Sequence, residues 1–115
     1  MTRIEALARQ QLDAYNRGDL EAFVSCYHPA VRVLRGEELT TEGLDEFRRR
    51  YEPMFAHGQF GASVPTRLAL NTHGVDDELW WRIDPESGER SEGRVLVRYH
   101  ERCLLYTSQS QRDCQ

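Results

Sequence analysis

The chain has no lysine: all 15 of its basic residues are arginine. That excludes Schiff-base chemistry and the lysine contact of a phosphate-binding loop. Basic excess is also missing, since the 115 residues carry a net charge of −4, and no block of five basic residues supplies a nucleic-acid footprint. Nucleic acid is therefore not an expected partner. No run approaches the roughly 18 apolar residues of a spanning helix, and the first residues lack the continuous apolar core of a signal peptide. The expectation is a cytoplasmic protein with no membrane partner. Cysteine is scarce, with three residues and no Cys-x-x-Cys spacing, so neither a disulfide framework nor a zinc site is indicated. Cys26 and Cys103 read as small buried apolar groups rather than catalytic thiols. No metal and no cofactor is expected, because His28, His57, His73 and His100 show no ligand spacing.

What is present begins with a helical hairpin. Ile4, Leu7, Ala8, Leu12 and Tyr15 recur at helical spacing, and Leu20, Phe23, Val24 and Tyr27 repeat it after a short break. Gly18 suits the left-handed residue that closes the first helix, and Asp19 can cap the second. The helices are expected over residues 2–16 and 20–27, the latter stopped at His28-Pro29. A short strand at 31–34 and a polar connection at 35–38 lead to a third helix opened by Thr41 or Gly43. Pro53 is expected to kink that helix or end it near Tyr51.

Strands follow at 63–70, 75–83, 90 or 93 to 100, and 103–108. Pro65 marks an edge or a bulge in the first of them. Residues 109–115 read as a polar tail that frays, which leaves one domain over 1–108. The order of elements is α+β.

The stretch Ala14, Tyr15, Asn16, Asp19, Leu20 and Phe23 resembles the Ala-Tyr-Asn-x-x-Asp-Leu-x-x-Phe signature of the SnoaL-like branch of the nuclear transport factor 2-like superfamily. Gly43, Asp45, Phe47, Arg48, Tyr51, Met54 and Phe55 match its third-helix pattern, and Val75, Asp76 and Glu78 fall where the branch often reads Val-Asp-His-Glu. The likeness spans about residues 4 to 107. It implies a cone-shaped α+β barrel, three helices on a strongly curved, mostly antiparallel sheet, with an interior pocket and a homodimer through the convex face.

Within the strand 75–83, alternation puts Asp76, Glu78 and Trp80 on one face and Asp77, Leu79 and Trp81 on the other. Two carboxylates side by side at an apolar pocket would repel, raising one pKa into the range of a general acid or base. Asp76 and Glu78 are thus the catalytic candidates. The competing reading pairs them with arginines such as Arg82, Arg94 or Arg98 on neighbouring strands. Tyr15, Tyr51, Phe55, Trp80 and His100 are the expected pocket-lining residues, with His100 also a candidate proton shuttle. Arg48, Arg49 and Arg50 read as a solvated helix face.

Ketosteroid isomerisation, the best-known chemistry of the superfamily, uses an Asp base with a Tyr and a protonated Asp as oxyanion donors. By position these fall on Gln11, Arg35 and near Val97, and none matches. The sequence therefore supports a small-molecule-binding protein with isomerase, cyclase or hydrolase chemistry through a pocket carboxylate. The alternative is a non-catalytic dimeric binding or interaction module of the same fold.

Overall fold

The structure is a computed structural model that describes residues 2–100 and the backbone of Gln111 and Arg112. Helix α1 spans Arg3–Arg17. Thr2 opens it by accepting a hydrogen bond from the Glu5 amide at 3.2 Å, and Gly18 closes it at φ 71°, a conformation that penalises any side chain. Helix α2 spans Leu20–Val24, with Asp19 accepting from the Ala22 amide at 3.1 Å. It is shorter than its apolar spacing predicted. The amides of Cys26 and Tyr27 bond three residues back, to Phe23 and Val24, so the chain tightens before Pro29.

Strand β1 (Arg32–Arg35) pairs antiparallel with β2 (Glu38–Glu42). The connection predicted after β1 is therefore a hairpin. Gly36 turns it at φ 64°, and Glu38 is already paired with Arg35. Only Thr41 of β2 is buried, so the strand has no apolar alternation to announce it. Helix α3 spans Leu44–His57 with Gly43 at its N-terminal boundary. It passes through Pro53 without ending near Tyr51, because Phe47, Phe55 and the half-buried Tyr51 and Met54 pin both halves to one core.

Strands β3 (Phe60–Leu70), β4 (His73–Ile83) and β5 (Arg90–His100) form an antiparallel ladder with β4 central. Both β3 and β4 begin earlier than predicted, and Asn71 at φ 52° allows a two-residue turn between them. Pro65 lies on an outer strand where the register shifts between Ser63 and Thr66, which removes the need for its missing N–H. Strand β6 (Gln111–Arg112) pairs with β1, although those residues were expected to fray. The rest of the expected tail and the expected strand 103–108, with Cys103 and Cys114, lie outside the described residues.

The architecture is α+β, helices packed on an antiparallel sheet, with the described strands in two ladders, β2-β1-β6 and β3-β4-β5, rather than a closed barrel. Bulges in β1 and β3 bend the strands. The core is unusually aromatic. Phe23 alone meets Tyr15, Tyr27, Phe47, Tyr51 and Phe55 at ring separations of 5.1 to 5.8 Å. No helix among the described residues is long and apolar enough to cross a membrane.

Candidate functional site

Strand β4 carries the site because it is paired on both sides, so its side chains can leave only toward the helices or away from them. Asp76 is buried and Tyr15 of α1 feels the charge of Glu78, which identifies the Asp76, Glu78, Trp80 face as the helix side. Asp76 is not left to repel Glu78. The Arg67 guanidinium, directly across on β3, grips it with two bonds of 2.8 and 3.0 Å, and the Tyr99 hydroxyl of β5 donates to it at 2.7 Å.

Side-chain exposure is 7% for Asp76 and 15% for Arg67, so a buried carboxylate is held by a partly buried guanidinium. Burial pulls against the Arg67 charge, but its bond to Asp76 holds its pKa above the usual arginine value. The arginine partner is thus Arg67, not one of the three named from sequence. Arg94 instead takes Asp77 on the opposite face, with bonds of 2.8 and 2.6 Å, and holds that carboxyl below its ordinary range.

Around Glu78 the structure assembles a different environment. The Tyr15 hydroxyl has its pKa raised, chiefly by burial, then by Tyr51 and Glu78, with Arg82 pulling the other way. Four polar groups from α1, α3 and β4 therefore share one electrostatic neighbourhood. Apolar rings surround it, with Tyr15 meeting Phe55 at 5.8 Å and Phe60 at 4.8 Å. The hydroxyl itself points at the Met54 sulfur, 3.8 Å away.

Trp80 is the next residue on this face of β4. Its indole lies flat on Gly93 across the ladder, where any Cβ would come within 2.5 Å of the ring, and the Arg82 guanidinium stacks 4.7 Å above it. A recess of about 270 Å3 adjoins this cluster at the end of α3 and the β4–β5 turn, lined in part by Met54, His57, Gln59, Arg82 and Ser91. Through Met54 and Arg82 the recess and the Glu78 neighbourhood share residues.

Of the expected lining residues none lines this recess: Tyr15 packs its ring against Phe55 and Phe60 beside it, Tyr51 meets Phe55 at 6.4 Å, Trp80 lies further along β4 against Gly93, and His100 is remote from all of them. It is the register partner of His73, seven residues down β4 from Trp80, and the two rings meet edge to face at 4.2 Å. The positions where an isomerase would carry its Tyr, base and second acid hold a buried Gln11, an exposed Arg35 and a buried Val97. Burial raises the pKa of Cys26, whose thiol donates to the Ala22 carbonyl at 3.4 Å, in keeping with a packing role. No group of three metal-binding side chains occurs among the described residues.

Sequence reasoning missed Arg67 as the partner of Asp76. Register is the reason: a carboxylate's cross-strand partner depends on the turn at Asn71 and the bulge at Pro65, which fix it only after folding.

The model of the SnoaL-like domain family matches residues 8–103. A search of curated proteins finds no match. Among solved structures, the Δ5-3-ketosteroid isomerase from Mycobacterium sp. is similar with a TM-score of 0.78 at 10% identity, over 100% of this chain and 95% of that one. An uncharacterized cystatin-fold protein from Novosphingobium aromaticivorans gives 0.72 at 17%, covering 99% of both chains. TsrD from Streptomyces laurentii gives 0.73 at 17%, over 97% of this chain and 87% of that one. At these identities the likeness is one of fold.

Proposed function

We propose that this chain, which belongs to the SnoaL-like domain family, binds a compact, partly apolar carbonyl compound on the helix side of β4 and moves a proton with Glu78. The observation that carries this reading is the Tyr15 hydroxyl, set among Phe55 and Phe60 and 3.8 Å from the Met54 sulfur of the recess that Arg82 also lines, on the side of the sheet that Glu78 faces. A carboxylate there can take a proton from the carbon next to the carbonyl, leaving an enolate. The enolate oxygen needs a donor, and a phenol with a raised pKa stays protonated and able to donate. Asp76, the second candidate carboxylate, acts in this reading through Tyr99 and Arg67, which it orients.

The test needs no knowledge of the net reaction. Proton abstraction exchanges hydrogen for deuterium at the carbon beside a carbonyl, which proton NMR in D2O follows directly across a panel of cyclic ketones and aromatic polyketide-like compounds. Exchange above background, lost in Glu78→Gln, supports the role. Binding and exchange unchanged in both Glu78→Gln and Asp76→Asn would remove it.

A second reading, a non-catalytic dimeric module, is favoured by the outer face of the ladder. Leu68, Leu70, Val75, Leu79 and Leu96 are all at least a third exposed there, and Trp81 is only half buried. A homodimer through this face is compatible with either reading.

A further inference from the structure

We propose that the recess between the β1–β2 hairpin and the outer flank of α3 is an anion site that takes the phosphate group of a small molecule. Arg35, Thr40, Thr41, Glu46, Arg49 and Arg50 line it around a volume of about 410 Å3. Three guanidiniums in one recess stand out in a chain of net charge −4. The fold gathers them: Arg35 ends β1 where the hairpin reverses, and Glu46, Arg49 and Arg50 lie within one turn of each other on α3.

The neighbouring Arg48 shows what a spent arginine looks like, since both its terminal nitrogens hold Glu21. Among the described residues Arg35, Arg49 and Arg50 form no ion pair. Arg50 is nevertheless held in place. Its Nη1 donates to the hydroxyl oxygens of Thr40 at 3.2 Å and Thr41 at 3.0 Å, and the Thr40 proton goes in turn to the Val33 carbonyl at 3.0 Å. Hydroxyls position that guanidinium without neutralising it.

Glu46 is the one carboxylate in the lining, and its Oε2 accepts from the Glu42 amide at 3.1 Å. Three positive charges against one negative leave a site matched to a dianion. Guanidiniums suit the several oxygens of a phosphate group because each presents paired N–H donors. The opening leaves space beyond the phosphate for an organic remainder.

Isothermal titration with inorganic phosphate, glycerol 3-phosphate and succinate, at constant ionic strength set by chloride, tests the site. Both phosphate probes are expected to bind saturably, and Arg35→Gln and Arg49→Gln should each weaken them at least about tenfold, the scale of one charge-assisted hydrogen bond. Glu46→Gln keeps an acceptor for the Glu42 amide while removing a charge, so it should tighten binding. Arg9→Gln at an exposed position of α1 and Glu78→Gln should leave phosphate binding unchanged, which separates this site from the one on β4. No saturable phosphate binding, binding indifferent to Arg35 and Arg49, or a Glu46→Gln variant that binds no tighter would overturn the proposal. Succinate binding as well as phosphate at the same arginines would overturn the phosphate assignment. Among the described residues the exposed Arg49 makes no hydrogen bond or ion pair, so far-UV circular dichroism of that variant should match wild type.

Discussion

Asp76 and Glu78 stand two residues apart on one face of β4, and their partners separate their roles. Asp76 is held by two arginine bonds and a tyrosine bond in a nearly dry setting. Removing one partner of such a pair strands the other, so Arg67→Ala should destabilise the protein by roughly 3 to 5 kcal/mol, measured by urea unfolding. Tyr15 adds a pH signature. Its pKa is raised in the fold, so below about pH 10 both states keep the proton and its stabilisation is complete. As pH climbs past that value the unfolded state ionises first and stability falls. Tyr15→Phe should therefore lose less stability than wild type between pH 9 and 11.

At the scale of elements, Asn16 shows what the helical signature does. Its side chain spans the backbone of Ala62 on β3, accepting from the amide at 2.8 Å and donating to the carbonyl at 2.9 Å, as a neighbouring strand would. Asn16→Ala should cost about 1 to 2 kcal/mol in urea unfolding, the loss of two such bonds. The rest of that signature is structural in the same way, with Asp19 capping α2, Ala14 buried at the close of α1, and Phe23 fully buried at the centre of the aromatic core.

These features were legible in sequence because capping and helical periodicity are local. Strand β2 was not, since its residues alternate without apolar character, and Arg67 could not be matched to Asp76 without the bulge that sets register. Of the two outcomes expected at Pro53, the early end does not occur, because packing of Phe47 and Phe55 outweighs the missing backbone bond. Trp80 and Trp81 were read correctly as lying on opposite faces. The glycines that receive their rings, Gly93 and Gly61, could be identified only from the paired ladder.

For the molecule as a whole, the two faces of the sheet differ in character. The helix side offers the polar cluster around Glu78, while the outer side exposes Leu68, Leu70 and Leu96 at 65, 68 and 62%. Apolar exposure on that scale fits a surface covered by a second copy. In sedimentation velocity, Leu79→Glu combined with Leu96→Glu should convert a dimer to a monomer, and a dimer that survives both charges would place the interface elsewhere. The most direct measurement of the central claim, a functional pocket on the helix side of β4, is a thermal-shift screen run in parallel on wild type and Glu78→Gln. The panel is small carbonyl compounds, steroids, polyketide-like aromatics and carboxylic acids, because a compound that binds only the folded state raises its melting temperature. The expected result is a saturable rise for at least one carbonyl compound in wild type that disappears in Glu78→Gln. No rise with any compound, or the same rise in both proteins, would contradict it.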